Sequence, residues 1–375
     1  MAADVYERLA DHVDSLPAGF PRTETGVEMR ILRRLFTPED AELALHLTLL
    51  AEEPRVIARR AKIPVEEAAR RLEEMEKKGL IFAVHRTDKP PLYQASHFVI
   101  GFWEGQVNRL DRELVEDFEE YLPILFDAEL WKKAGQLRTV PVGESISAGT
   151  EVLPYERAEE LVRGHHTFSV TNCICRKEMR ILDNGCDKPE ESCLGLGTVA
   201  KHIVHSGRGR AISQAEAFDI LRQAEEVGLV LQPAADKEST FICTCCGCCC
   251  GVLRSVKQHP KPASIVSSPF MAALDAELCD GCATCETRCQ MEAIYVDNGT
   301  ATLDLDRCIG CGLCVTACPS EALSLMRKPE AEQPYVFKDI VDTYIKLGQA
   351  RGRMGMGELI GMQMRSKVDR LLASR

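Results

Sequence analysis

One cysteine spacing occurs twice in this chain, and it restricts what the surrounding segment can fold into. Cys279, Cys282, Cys285 and Cys289 follow the pattern C-x-x-C-x-x-C-x-x-x-C, and Cys308 begins the same pattern twenty-nine positions later. Two-residue gaps let one tight loop present three thiolates to three corners of a compact metal cluster. The fourth thiolate then has to arrive from elsewhere. The repeat therefore predicts a segment that binds metal clusters.

The two copies are alike around their cysteines, with one difference. The second copy continues through Cys311, Cys314 and Cys318 and is followed by Pro319, whereas Gln290 stands at the matching place in the first copy. That proline shapes the local turn, so its absence concerns geometry and not ligation. Zinc sites usually contain two C-x-x-C pairs. Zinc binding and disulfide bonding are therefore the minor alternatives for these eight cysteines.

The doubled pattern resembles the bacterial-type ferredoxin that carries two [4Fe–4S] clusters. The resemblance implies a βαβ-type ferredoxin module over residues 270–327, with a hairpin at 297–300. It also implies that the fourth ligand of each cluster comes from the other copy. One cluster would be bound by Cys279, Cys282, Cys285 and Cys318. The second would be bound by Cys308, Cys311, Cys314 and Cys289.

Ten further cysteines precede this repeat, in two groups. The first group consists of Cys173, Cys175, Cys186 and Cys193. The second group consists of Cys243, Cys245, Cys246, Cys248, Cys249 and Cys250. Six cysteines in eight residues exceed what the packing of small apolar side chains requires. Both groups are therefore predicted to bind metal, although successive side chains alternate in direction and only some of the second group can face one metal.

The number of upstream centres stays open between one cluster, two clusters, and one cluster with a reactive thiol pair. We favour two, one bound by the four cysteines of the first group and one by a subset of the second. Arg176, Lys177 and Arg180 lie beside the first group, where they either offset cluster charge or form a solvated helix face. Nearby histidines are expected to have structural or surface roles: His165, His166, His202 and His205.

Residues 25–100 show the order of elements of a winged helix and resemble the MarR/ArsR-type DNA-binding fold. Helices are predicted over 38–50 and 65–78. Two wing strands should follow, with Pro90 and Pro91 in the loop between them. The segment is therefore expected to form a compact module of its own.

Charge argues against nucleic-acid binding. The predicted recognition helix opens with Glu66 and Glu67, and phosphates and base edges repel carboxylates at that end. Residues 22–100 carry 14 basic and 13 acidic side chains, and the whole chain has a formal charge of −11. Docking to a protein partner, or a structural role, is therefore preferred for this module.

Other segments give weaker signals. Residues 101–126 have helical periodicity, and Trp103 on the apolar side is expected in the core. Small residues over 143–149 predict a linker, and Ser213 with Glu216 predicts a capped helix start. Beyond Pro334, one amphipathic helix should end at Gly348. A second carries an apolar stripe that could contact a partner or the chain's own core: Ile360, Met364, Val368 and Leu371.

The sequence therefore predicts an α+β multidomain protein. The predicted parts are N-terminal helices and a winged helix (1–100), a helical connector (101–142), a cysteine-rich α+β domain (150–265), a dicluster ferredoxin domain (270–327) and a helical tail (334–375). Residues 1–16 show no secretory signal, and no apolar run is long enough to cross a membrane. A cytoplasmic location is expected, where cysteines stay reduced, in an anaerobe or in an oxygen-sensitive protein.

The preferred function is that of a multi-cluster iron–sulfur carrier or subunit. It would contain two [4Fe–4S] clusters and one or two further clusters, and would relay low-potential electrons. Its partner would be a flavoprotein, dehydrogenase or reductase, and an oligomer or a larger complex is left open. No catalytic residue is identified. The alternatives are a redox-sensing winged-helix regulator and a reductase subunit whose upstream cluster reduces substrate.

Overall fold

The computed structural model describes residues 4–147, 150–353 and 356–373. Two compact units are present: Met1–Leu125, Lys201–Arg210 and Tyr344–Arg375 in unit 1, and Phe126–Ala200 and Ala211–Thr343 in unit 2, each as far as it is described. Helices and small sheets together confirm the α+β class. The finer domain ranges stay predictions, and residues 148–149 of the predicted linker lie outside the described residues.

The helices are distributed over both units. They are α1 (Val5–Ser15), α2 (Val27–Leu35), α3 (Pro38–Ala44), α4 (Pro54–Ala61), α5 (Val65–Lys77), α6 (Arg112–Leu125), α7 (Ala128–Ala134), α8 (Ala158–Arg163), α9 (Ile174–Ile181), α10 (Gly197–His205), α11 (Gln214–Glu226), α12 (Gly251–Gln258), α13 (Thr284–Arg288), α14 (Leu313–Thr316), α15 (Ile340–Ala350) and α16 (Met356–Leu372). Within the described ranges, no helix is both long enough and apolar enough to span a bilayer.

The strands are short. They are β1 (Phe82–Arg86), β2 (Lys89–Gln94), β3 (Phe168–Asn172), β4 (Glu191–Leu196), β5 (Gly209–Ile212), β6 (Val230–Pro233), β7 (Phe241–Cys245), β8 (Phe270–Leu274), β9 (Ile294–Asp297), β10 (Thr300–Leu303) and β11 (Leu323–Arg327). β1 and β2 form the hairpin of unit 1. In unit 2, β3, β4, β7 and β6 lie side by side in that order, each antiparallel to its neighbour.

Aromatic side chains fill the centre of unit 1. Phe98 lies 5.1 Å from Phe20 and 5.6 Å from Tyr121, measured between ring centroids. Trp103 stacks on Phe118 at 4.2 Å and is only 1% exposed. The prediction that Trp103 belongs to the core is confirmed. Beyond their burial, such aromatic pairs contribute about 1 kcal/mol each to folding.

The helix predicted over 101–126 begins only with α6. Gly105 lies so close to Gly79 that a Cβ on Gly105 would be 2.1 Å from the Gly79 carbonyl oxygen. At this close backbone contact the chain forms the short turns Phe98–Phe102 and Glu104–Gln106, which precede α6. Asp111 then starts the helix, because its carboxylate accepts the Leu114 N–H at 2.9 Å. Side-chain periodicity indicates the apolar side correctly but carries no information about a close backbone contact.

Two predicted boundaries in the winged-helix segment are also wrong. α3 is shorter than predicted because the Thr48 carbonyl oxygen leaves the helical path and accepts the Ala95 N–H at 2.8 Å. Pro90 and Pro91 lie inside β2 and not in the loop, since the hairpin turns before Lys89 at Asp88, which has a φ of 55°. A ribbon of two strands has open edges, and proline is tolerated there.

The C-terminal helices are present, but their ends and packing differ from expectation. α15 continues past Gly348 and ends near Gly352, which has a φ of 66°. α16 contacts α4 through charge, because Arg60 donates to the Asp369 carboxylate at 2.7 Å. Its predicted apolar stripe is exposed by half or more: Ile360, Met364, Val368 and Leu371.

The sheet of unit 2 positions the upstream cysteines. Cys193 belongs to β4, Cys243 and Cys245 belong to β7, and Cys173 follows β3 directly. Alternate residues of a strand share one side, so Cys243 and Cys245 point the same way. On the chain after β5, the Ser213 hydroxyl accepts the N–H of Glu216 at 3.1 Å and starts α11, which confirms that predicted helix start.

The aromatic centre of unit 1 gives a stability prediction. Replacing Trp103 by alanine should lower the free energy of opening α6 by about 3–5 kcal/mol, because a large buried side chain is lost and a cavity remains. Hydrogen exchange of the α6 amides measures this as faster exchange. Ile124→Ala is the control on the same helix, since Ile124 is 45% exposed and should cost little. Equal exchange rates in the two variants would contradict the assignment of Trp103 to the core.

Candidate metal centres

The doubled cysteine segment folds into two halves that repeat each other. β8 pairs with β11 and β9 pairs with β10, both antiparallel. The first strand of each copy thus pairs with the last strand of the other copy. α13 and α14 occupy matching places between the strands. This exchange of strands brings cysteines from both copies into each half.

One half contains a small pocket. Its cysteines are the first three of the first copy and the last of the second: Cys279, Cys282, Cys285 and Cys318. Most of the remaining lining is apolar, as at Leu274, Val296 and Leu323, and Asp280 and Ser320 add polar groups. The structure therefore brings together the four cysteines that the resemblance assigns to one cluster. A mostly apolar lining limits the access of water to a bound cluster.

The matching cysteines of the other half pack together beside the main core of unit 2: Cys308, Cys311, Cys314 and Cys289. Burial raises the pKa of Cys311 to about 12, and the nearby Cys289 sulfur adds to this shift. Burial also raises the pKa values of Cys308 and Cys314. Thiols of this kind are poor free nucleophiles, and a bound metal has to displace their protons. They suit a metal centre better than a reactive thiol site.

Backbone N–H groups point at equivalent sulfur atoms in the two halves. Ala301 donates to the Cys279 Sγ at 3.3 Å, and Ala272 donates to the Cys308 Sγ at 3.4 Å. The two alanines occupy matching positions of the repeat, as do the two cysteines. Hydrogen bonds of this kind stabilise negative charge on a ligating sulfur and tune the reduction potential of a cluster.

Glycine is required in both cysteine loops. Gly281 has a φ of 71°, and a Cβ there would lie 2.4 Å from the Gly299 carbonyl oxygen. Gly310, at the matching place, has a φ of 67°, and its Cβ would lie 2.1 Å from the Phe270 carbonyl oxygen. The loops can therefore press against the neighbouring backbone and turn their thiols inward only because these residues lack side chains.

Gln290, the one departure between the two copies, joins the repeat to the upstream cysteines. Its side-chain oxygen accepts the Gly247 N–H at 2.8 Å. A Cβ on Gly247 would lie 2.1 Å from the Gln290 backbone oxygen, so the contact also requires glycine. A proline at 290 would lack this side-chain acceptor. The missing proline is the sequence feature that marks this contact, but the sequence alone does not show what Gln290 touches.

Four of the ten upstream cysteines converge on one point. The Sγ atoms of this tetrathiol group all lie within 4.8 Å of one another: Cys186, Cys246, Cys248 and Cys249. Cys246 and Cys249 are buried, whereas Cys248 is exposed. The turn at Gly247 lets the cysteines on either side of it face the same point. Four thiolates around one point are a favourable donor set for a thiophilic metal.

The remaining six upstream cysteines form a second, hexathiol group. Hydrogen-bond contacts join neighbouring thiols of this group in the order Cys173, Cys175, Cys250, Cys245, Cys243 and Cys193. The strand register supports the arrangement, since Cys193 lies opposite Thr171, two residues before Cys173. Six neighbouring thiols exceed the four that one tetrahedral thiolate-bound metal ion needs.

This grouping differs from the one predicted from sequence. The sequence places Cys186 with Cys173, Cys175 and Cys193, but the structure places it with cysteines of the second group. The cause is α9, which begins directly after Cys173 and carries the chain away before Cys186 is reached. Spacing along the chain does not reveal that a helix separates neighbouring cysteines.

Arg176 lies buried beside both groups. Its guanidinium donates to the Thr244 carbonyl oxygen at 2.9 Å, bonds the Ser192 hydroxyl and lies 4.0 Å from the Cys246 Sγ. Burial alone would lower the pKa of Arg176, but the Cys173, Cys246 and Cys245 sulfurs raise it above its usual value. The solvated helix face is therefore wrong for Arg176. Its charge offsets that of the surrounding thiolates.

Other polar residues close to the first group along the sequence have different roles. Arg180 of α9 pairs with Glu190 at the surface. The His165 Nε2 lies 3.1 Å from the Ser239 carbonyl oxygen. In unit 1, His202 is buried, its Nδ1 lies 3.2 Å from Glu76, and burial lowers its pKa to about 4. A structural role is thereby confirmed for His202.

Residues 301–324 match the 4Fe-4S binding domain family. The matched segment contains the four cysteines of the second copy. It covers only a small part of the whole chain. It indicates that the chain binds [4Fe–4S] clusters and has an iron–sulfur electron-transfer role, which confirms the coarser part of the sequence prediction. No curated protein and no solved structure matches the chain.

The position of Arg176 gives a test on α9. Arg176→Leu should destabilise unit 2 by about 3–5 kcal/mol, because removing one partner leaves buried charged and polar groups unpaired. Thermal unfolding of the metal-loaded protein measures the loss. The control is Arg180→Leu on the same helix, which removes an exposed ion pair with Glu190 and hydrogen bonds to the Cys186 and Lys188 backbone oxygens and should cost about 1–2 kcal/mol. Similar losses for both variants would show that Arg176 does not compensate buried charge.

A buried carboxyl group in unit 2 gives a pH test. Burial, with Glu144 and Glu159 nearby, raises the pKa of Glu225 from 4.5 to about 7. The folded state then binds more protons than the unfolded state between these values, so stability falls as pH rises through this window. Glu225→Gln should therefore raise the unfolding temperature at about pH 8 and change it little at about pH 5.

The control for this test is Glu226→Gln, whose side chain is exposed on the same helix. It should shift the unfolding temperature by the same small amount at both pH values. A Glu225→Gln variant that behaves like this control would contradict the raised pKa.

Proposed function

We propose that the chain is a multi-cluster iron–sulfur electron carrier, or the carrier subunit of a larger oxidoreductase. Its ferredoxin segment would bind two [4Fe–4S] clusters through crossed ligands. Cys279, Cys282, Cys285 and Cys318 would bind one cluster, and Cys308, Cys311, Cys314 and Cys289 would bind the second. A bound [4Fe–4S] cluster supplies one-electron transfer at a potential set by its surroundings.

The observation that carries this proposal is the pocket lined by three cysteines of one copy and one of the other. Two further features support it. The N–H groups of Ala301 and Ala272 point at equivalent sulfurs, and the glycine turns of both loops have the same conformation. A chain selected for only one cluster would have no need to keep both halves alike.

The contact between Gly247 and Gln290 supports a relay within unit 2. It holds the upstream cysteine loop against the ferredoxin segment through a side-chain hydrogen bond and a close backbone approach. The hexathiol group would bind one further iron–sulfur cluster, with the Arg176 charge beside it. Electrons would then pass between this upstream cluster and the two ferredoxin clusters. The partner that donates or accepts them would be a flavoprotein, dehydrogenase or reductase.

The redox-sensing regulator and the substrate-reducing subunit remain alternatives without a structural observation in their favour. α5, the predicted recognition helix, pairs its acidic residues with its own basic ones, as in Glu74 with Arg70 and Glu73 with Lys77. These pairs leave little uncompensated positive charge for phosphate groups. We therefore propose partner docking or structural support as the role of this module.

The proposal is tested by iron and sulfide analysis of protein purified without oxygen, together with EPR of the reduced state. At least about eight irons per chain are expected, since two cubane clusters contain that number. Cys282→Ser should remove up to about four of these irons and alter the EPR signal of one ferredoxin cluster only. Cys282 suits this variant because it is exposed, so the fold should survive. Fewer irons in the unaltered chain, or no change in Cys282→Ser, would contradict the proposal.

A further inference from the structure

The tetrathiol group has sulfur–sulfur distances that identify the kind of centre it fits. The Cys186 Sγ lies 3.9 Å from that of Cys246 and 3.6 Å from that of Cys249, and the Cys248 and Cys249 sulfurs are 3.7 Å apart. All four sulfurs lie within 4.8 Å of one another. The group is therefore tight.

The three distances of 3.6, 3.7 and 3.9 Å are close to those around a single tetrahedral ion. A zinc–sulfur bond of about 2.3 Å places the four sulfurs of a tetrahedral site about 3.8 Å apart. In a [4Fe–4S] cluster each thiolate binds a different iron, and the irons themselves lie away from the cluster centre, so the four sulfurs are spread further. The group is too small to surround a cubane in its present form.

We propose that Cys186, Cys246, Cys248 and Cys249 bind one zinc ion in a closed tetrathiolate site, separate from the iron–sulfur clusters. A tetrahedral set of four sulfurs is typical of structural zinc. The same ligands bind Zn²⁺ more tightly than Fe²⁺, which favours zinc over a single iron. The assignment goes beyond the proposed function and does not depend on it.

The surroundings of the group fit a structural ion. Four thiolates and one Zn²⁺ carry a net charge of −2, and the Arg176 guanidinium lies 4.0 Å from the Cys246 sulfur. Cys186 lies in the loop after α9, whereas the other three ligands lie between β7 and α12. A zinc ion would therefore link the loop after α9 to the loop between β7 and α12, next to the Gly247 contact with Gln290. Being redox-inactive, it would hold this loop while electrons pass through the clusters.

The test is metal analysis of the full-length protein, purified without oxygen from cells supplied with both iron and zinc. One zinc per chain is expected, and the zinc-edge X-ray absorption spectrum should show four sulfur ligands at about 2.3 Å. Cys248→Ser should lose this zinc and keep its full iron content. Cys248 is the ligand to change because it is exposed, whereas Cys246 and Cys249 are buried.

Two further variants separate the outcomes. Cys248→His should retain zinc, because histidine replaces cysteine in tetrahedral zinc sites. Cys282→Ser should lose iron and keep zinc, so that failure of the ferredoxin proposal and failure of the zinc proposal give different results. The zinc assignment is overturned if the unaltered chain contains no zinc, if one iron occupies the group instead, or if Cys248→Ser loses iron rather than zinc.

Discussion

The close approach of Gly247 to Gln290 is the contact on which the arrangement of cysteines in unit 2 depends. It leaves no room for a side chain on Gly247 and adds a hydrogen bond from its N–H to the Gln290 side chain. The contact fixes the loop between β7 and α12, which carries four of the upstream cysteines, against the first ferredoxin copy. If this loop were displaced, Cys246 and Cys249 would no longer face the sulfur of Cys186, and Cys250 would no longer face that of Cys245.

The second constraint is charge. Thiolates gathered at one place repel one another, and burial raises the free energy of each uncompensated charge. Arg176 lies beside both upstream groups and is itself held by Thr244 and Ser192. In the ferredoxin segment, backbone N–H groups take over this role at Cys279 and Cys308. Fixed positive charge upstream and peptide dipoles downstream are physically different means of setting cluster potentials.

The parts of this picture that follow from sequence are those that depend on spacing. The doubled cysteine pattern carries the resemblance to dicluster ferredoxins, and that resemblance implies which four cysteines line the ferredoxin pocket. The grouping of Cys186 does not follow, since α9 intervenes and the contact partners lie far along the chain. The start of α6 was predicted wrongly because it depends on the close backbone contact between Gly79 and Gly105. The position of Pro90 and Pro91 was predicted wrongly because it depends on where the hairpin turns. Side-chain periodicity records burial and not these backbone constraints.

The central claim is that the ferredoxin segment binds two [4Fe–4S] clusters while the tetrathiol group binds no iron. Mössbauer spectroscopy of protein enriched in iron-57 tests both parts in one spectrum, because it distinguishes cluster iron from a single tetrahedral iron. The account predicts that all iron belongs to clusters, with at least about eight irons per chain. A spectrum with fewer cluster irons, or with a component from a single iron bound by four thiolates, would contradict it.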